Sequence, residues 1–117
     1  MKFKTFLAVI LLAFVLSLPV FASSLRIGSA YPVLSIANNV ASCQGDIYAE
    51  GEDDWVSATM ELWKGNTRLN YWNASGTYHV SMAETESVTR YHTYRLVIHY
   101  TVNGVAKPSV EDSQYYG

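Results

Sequence analysis

Between residues 40 and 49 apolar and polar positions alternate. Ala41, Cys43, Gly45, Ile47 and Ala49 share one parity, and Ser42, Gln44, Asp46 and Tyr48 share the other. A strand turns successive side chains to opposite faces, so this pattern predicts a strand with one side buried. Residues 56–64 repeat it, with Val56, Ala58, Met60 and Leu62 inward and Ser57, Thr59, Glu61 and Trp63 outward. The strongest run is 91–102, where Tyr94, Leu96, Ile98, Tyr100 and Val102 share a face and Val97 adds an apolar residue to the other. Shorter strands are predicted over 33–37, 68–73 and 77–82, the last with Tyr78, Val80 and Met82 inward. Residues 83–87 fit either more strand or one helical turn.

The breaks between these runs carry turn chemistry. Asn38-Asn39, the charged stretch 50–54, residues 65–67 and Ala74-Ser75-Gly76 all read as turns. Asn103-Gly104 is the clearest, because both residues tolerate the positive φ of a type I′ hairpin. Residues 105–110 then fold back on the preceding strand, and Pro108, which lacks an amide donor, puts them at a sheet edge. Residues 23–31 read as an irregular lead-in and 114–117 as a loose tail. About seven short strands at 8–12-residue spacing must each bury one face. Two packed antiparallel sheets do this most economically, so the predicted fold is all-β, an immunoglobulin-like β-sandwich. A small barrel is the second solution. Tyr94 stands two residues before Leu96 at the start of the strongest strand, where such sandwiches carry a tyrosine corner. Cys43 and Leu96 would then occupy the places of the two bridging cysteines.

The first residues follow a different rule. Lys2 and Lys4 precede a 13-residue apolar run over 6–18, and Pro19-Val20-Phe21-Ala22 ends on a small residue. This predicts a secretory signal peptide over residues 1–22, in helical form, and a single β-sandwich domain over 23–117. An uncleaved anchor is the alternative and would be the chain's one tie to a membrane, although the run is shorter than the ~20 residues a spanning helix needs. The expected location is secreted, outside the cell.

Removing the leader takes all four Phe and leaves nine Tyr and three Trp in 95 residues. It also leaves six basic against ten acidic residues, a net charge of −4. With no basic stripe, nucleic acid is not an expected partner. Cys43 is the single cysteine, so no intrachain disulfide can form and a buried thiol is expected. The chain reads as a monomer, with 105–110 as the one edge open to pairing.

The run Ala41-Ser42-Cys43-Gln44-Gly45, the stretch 56–64, Trp72 and Tyr94-Arg95-Leu96 resemble a group of small exported proteins of Gram-positive bacteria. The likeness covers about 36–102. It implies a single immunoglobulin-like β-sandwich behind a signal peptide in a bacterial setting. It implies no catalytic residues.

No constellation specifies a reaction, and the chain is not read as an enzyme. Cys43 lies on an apolar strand face, away from the partly exposed, activated setting a thiol nucleophile needs. His79, His92 and His99 lack the converging spacing of a zinc site. Glu50, Glu52, Asp53 and Asp54 lack the spacing of a calcium loop. No metal and no cofactor are expected. The aromatic side chains are the functional lead. Trp63 is outward, and one of the adjacent Tyr71 and Trp72 must join it across the 65–67 turn. Exposed Tyr and Trp rings suit sugar rings or a protein hot spot. Trp63, Tyr71 and Trp72 are therefore the candidate binding residues of a module for an extracellular glycan or protein. A small secreted antagonist, of bacteriocin type, is the alternative function.

Overall fold

The computed structural model describes residues 29–117; the predicted leader and its helix lie outside the described residues. Eight strands follow in order: β1 (Ser29–Ala37), β2 (Val40–Tyr48), β3 (Trp55–Lys64), β4 (Thr67–Thr77), β5 (His79–Ser87), β6 (His92–Val102), β7 (Val105–Ala106) and β8 (Val110–Tyr116). They form two antiparallel sheets. One has the order β1-β2-β5. The other has the order β4-β3-β6, with β7 and β8 both paired to the far side of β6. The predicted β-sandwich is the observed fold.

The core is built as the alternation dictates. Ala41, Cys43 and Ile47 from one sheet meet Val56, Met60, Leu62, Leu96 and Ile98 from the other, all fully buried. Gly45 lies on the same inward parity. A Cβ there would stand 2.7 Å from Ile98 Cδ1, so the missing side chain is the room that Ile98 fills. Turn chemistry holds at both ends of the chain. Asn38 and Asn39 have φ of 53° and 62°, and Asn103 and Gly104 have 51° and 80°. Each pair makes a two-residue hairpin whose twist matches its strands.

Three boundaries differ from the sequence reading, and one open choice is decided. β1 starts at Ser29, because every residue from there to Ala37 has a register partner on β2. Its Pro32 is tolerated because β1 is an edge strand. Ala74-Ser75-Gly76 do not turn; they pair with Ala58, Ser57 and Val56 and carry β4 on to Thr77. Residues 83–87 continue β5 as strand against β2. The tail is ordered as well, since β8 runs to Tyr116 alongside β6. Pro108 sits in the gap between β7 and β8, where it costs no ladder hydrogen bond.

The chain changes sheet between β4 and β5 at one residue. Tyr78 adopts a φ of 70°. Its N–H donates to the Asp54 carbonyl at 2.7 Å, and its carbonyl accepts from the Ala49 N–H at 2.7 Å. This twist turns its side chain outward, 39% exposed, where the alternation predicted a core residue.

The tyrosine corner is present. Tyr94 is fully buried; its hydroxyl donates to the Thr89 carbonyl at 2.7 Å and accepts from the Thr89 N–H at 2.9 Å. One phenol thus satisfies both backbone groups of the loop entering β6. Tyr94→Phe leaves both without that partner, and we expect it to lower unfolding stability by about 1–3 kcal/mol. A urea titration monitored by Trp fluorescence checks this; a midpoint unchanged from the parent refutes the role.

Candidate functional site

The outer face of the five-stranded sheet holds two of the three candidate residues. Tyr71 pairs with Glu61 across β4 and β3 and points outward, 49% exposed. The register slips between Leu62 and Trp63, so Trp63 pairs with Arg68 and lies diagonal to Tyr71. Trp72 takes the other parity, opposite Met60, and packs against the core. Of the pair that had to divide, Tyr71 is the outward member.

Glu61 organises this face. It is outward by parity but only 8% exposed, because longer side chains close over it. Arg68 Nη1 donates to Oε2 at 2.9 Å, the Trp63 indole N–H to Oε1 at 3.3 Å, and His99 Nε2 lies 2.8 Å from Oε1. Burial alone would raise the carboxyl. The hydrogen bonds from Arg68, His99 and Trp63 together outweigh it and hold Glu61 below the usual carboxylate value. The two rings are engaged as well. The Arg68 guanidinium lies 4.4 Å from the Tyr71 ring centre, and that of Arg95 5.5 Å from the Trp63 ring. Cation–π contact of this kind satisfies a ring face within the protein. Tyr71 and Trp63 thus each hold an arginine near one ring face, although Tyr71 remains half exposed.

The outer face of the three-stranded sheet is different. At one end Tyr48 stacks on His79 with ring centres 4.2 Å apart and planes 1° from parallel. Tyr31 and Tyr78 stand edge-on to Tyr48 at 6.4 Å and 6.3 Å. Tyr31 is 58% exposed and Tyr48 36%. His79 Nε2 meets Asp46 Oδ1 at 3.1 Å in the next row. Beyond these, the register sets Ser35, Ser42, Gln44, Ser81 and Thr85 on the same face. Asp46 is the one carboxylate that β1, β2 and β5 place there. The result is a cluster of partly exposed rings, with Tyr31 and Tyr78 at steep angles to Tyr48, beside hydroxyl and amide groups and the exposed Val33 and Val40. Sequence reading put Tyr48 outward but did not single it out. Its partners come from strands 17 and 31 residues away, and the alternation over 77–82 points Tyr78 to the core.

The remaining candidates do not converge. Burial, with Glu86 and Glu84 adding repulsion, pushes the Cys43 thiol up to about 11, so the thiolate form is disfavoured. His79, His92 and His99 sit with Asp46, Tyr94 and Glu61 respectively. Among the described residues no three His, Cys, Asp or Glu side chains gather to hold a metal. In the charged turn, Asp54 accepts from the Asn103 amide and the Gly51 N–H at 2.9 Å, and these bonds lower its pKa. Asp54 thereby ties the 50–54 turn to the Asn103-Gly104 hairpin.

No family model matches the chain, and no curated protein does. Solved structures do. β-Glucuronidase 2 of Bacteroides uniformis matches with a TM-score of 0.54 at 6% identity, over 74% of this chain and 13% of that one. A putative β-galactosidase of Bacteroides fragilis matches with a TM-score of 0.53 at 10% identity, over 74% and 16%. The shared feature is a β-sandwich domain. This chain spans less than a fifth of either enzyme's length. At these identities the likeness is one of fold alone.

The Glu61 network makes a pH-dependent contribution. A carboxyl whose folded pKa lies below its unfolded value stabilises the fold above the unfolded pKa, near 4.3, and loses that contribution as pH falls through the folded pKa. Glu61→Gln should cost about 1–3 kcal/mol at pH 7 and much less at pH 3. Urea unfolding of both proteins at the two pH values checks this, and an equal deficit at both would refute it.

Proposed function

We propose that the chain is a secreted, non-catalytic binding module that holds a neutral extracellular polysaccharide on the outer face of the three-stranded sheet. The observation that carries this reading is the Tyr31–Tyr48–His79–Tyr78 step beside Asp46 and the Ser/Thr/Gln row. A pyranose ring has one face of C–H groups and a rim of hydroxyls. The C–H face suits an exposed aromatic surface, and the hydroxyls suit paired donors and acceptors at its border. The only formal charges the three strands set on this face are Asp46 and, when protonated, His79. That balance favours an uncharged glycan over an acidic one. The five-stranded face, whose rings lie under arginines, is the weaker candidate for the same ligand. Export by the leader would place the step outside the cell. The resemblance to exported Gram-positive proteins agrees with a cell-surface glycan.

The test is affinity electrophoresis through gels holding neutral polysaccharides, with acidic ones alongside. We expect retardation by at least one neutral polymer, weakened roughly tenfold by Tyr48→Ala. Trp63→Ala should leave it unchanged. Retardation lost with Trp63→Ala and kept with Tyr48→Ala would move the site to the other sheet. No retardation by any polymer would end the glycan reading.

A further inference from the structure

A sandwich of two open sheets has four edge strands: β1 and β5 in one sheet, β4 and the β7–β8 line in the other. An edge is a row of unpaired N–H and C=O groups that templates another strand unless something blocks it. Three of these edges carry blocks. In β1, Pro32 has no N–H, and the Leu34 N–H, which faces away from β2, is capped by Asp112 Oδ2 at 2.9 Å. In β5, Glu84 and Glu86 take the parity of the core residues Val80 and Met82, so charge points to the inner side of the edge. The last edge is broken between β7 and β8 at Pro108, and β8 carries Glu111 and Asp112. The sequence reading assigned the open edge to residues 105–110; the break at Pro108 and the two-residue length of β7 make it a poor template.

β4 is blocked least: its register shift and its one charge, Arg68, lie near its start, and the Tyr71 amide is capped only from within the strand. It is eleven residues long, has no proline, and is unpaired on one side among the described residues. The Tyr71 N–H donates to the side-chain oxygen of its neighbour Asn70 at 2.8 Å, and the N–H and C=O of Trp55, on the same parity of β3 as the Glu61 opposite Tyr71, both turn to Asn103 on the β6 side. Antiparallel alternation then turns the N–H and C=O of Tyr71, Asn73 and Ser75 outward. These three positions are symmetric about Asn73. A second β4 running antiparallel sets Asn73 opposite Asn73 and Tyr71 opposite Ser75, so each outward group meets its complement. Such a register closes about six hydrogen bonds across a two-fold axis. Ala74, Ser75 and Gly76 are small and leave the approach clear.

We propose that β4 is a self-pairing edge, through which two copies of this chain join their five-stranded sheets into one continuous sheet. The Asn70 side chain gives up the Tyr71 N–H to the incoming strand. This is independent of the glycan reading, whose face lies on the other sheet.

Two variants test it on the purified protein. Ser75→Pro removes an outward donor and leaves the β3 ladder intact, because the Ser75 N–H faces away from β3. Sedimentation equilibrium from about 1 μM to about 1 mM should show a monomer–dimer equilibrium in the parent, with Kd raised roughly tenfold or more by Ser75→Pro. Asn73→Cys places two thiols across the two-fold axis at the ~5.5 Å Cα separation of a hydrogen-bonded pair, within reach of a short bis-maleimide. That reagent should trap a covalent dimer, while Cys43, fully buried, does not compete. A parent that stays monomeric across the range overturns the proposal. So does a dimer that Ser75→Pro does not weaken, or an Asn73→Cys protein that does not cross-link.

Discussion

The crossover at Tyr78 sets the rest of the structure. One residue at positive φ, its N–H and carbonyl bonded to Asp54 and Ala49, moves the chain from one sheet to the other. β4 ends there as an edge, and β5 begins in register with β2. That register brings His79 beside Tyr48. The same twist throws the Tyr78 ring outward, where it completes the aromatic step. A longer loop at this point would free the register of β5 from the end of β4, and the stacked pair would no longer be specified.

The two outer faces show how similar residues reach different ends. Both carry aromatic rings, a histidine and a carboxylate. On the five-stranded sheet the carboxylate of Glu61 is enclosed and draws in Arg68, His99 and Trp63, and guanidinium groups lie over the rings. On the three-stranded sheet Asp46 is half exposed on its side chain and, among the described residues, meets the His79 ring. There Tyr48 stacks on His79 and Tyr31 meets it edge-on, with no guanidinium over any of these rings among the described residues. The difference is one of basic residues. β3, β4 and β6 carry Lys64, Arg68 and Arg95, whereas β1, β2 and β5 carry no Lys or Arg.

Much of the fold was legible in the chain. The alternations over 40–49, 56–64 and 91–102 located the inward residues of β2, β3 and β6, because each strand buries one face and exposes the other. Tyr94 before Leu96 signalled the corner. Where the reading failed, local turn propensity yielded to pairing, and where it left a choice open the pattern itself was mixed. Ala74-Ser75-Gly76 has turn composition, but a complete set of partners on β3 holds it extended. Residues 83–87 lack a clear pattern because their inward positions carry glutamates at an edge. At the candidate site, the outward member of Tyr71 and Trp72 was left open, since two adjacent aromatics fit either parity. The Tyr31–Tyr48–Tyr78 step was out of reach, because it depends on which strands become neighbours.

The end of the chain holds more than its composition suggests. The Tyr116 hydroxyl accepts from the Asn39 N–H and donates to the Asn39 side-chain oxygen, both at 2.9 Å, and Asp112 holds the Leu34 amide. The last strand thus latches the first hairpin, which lies in the other sheet. β8 is therefore no loose tail: peeling it from β6 would free the Asn39 turn and uncover the Leu34 amide at the edge of β1. Damage at one edge of the five-stranded sheet would thus be felt as an exposed strand edge in the other.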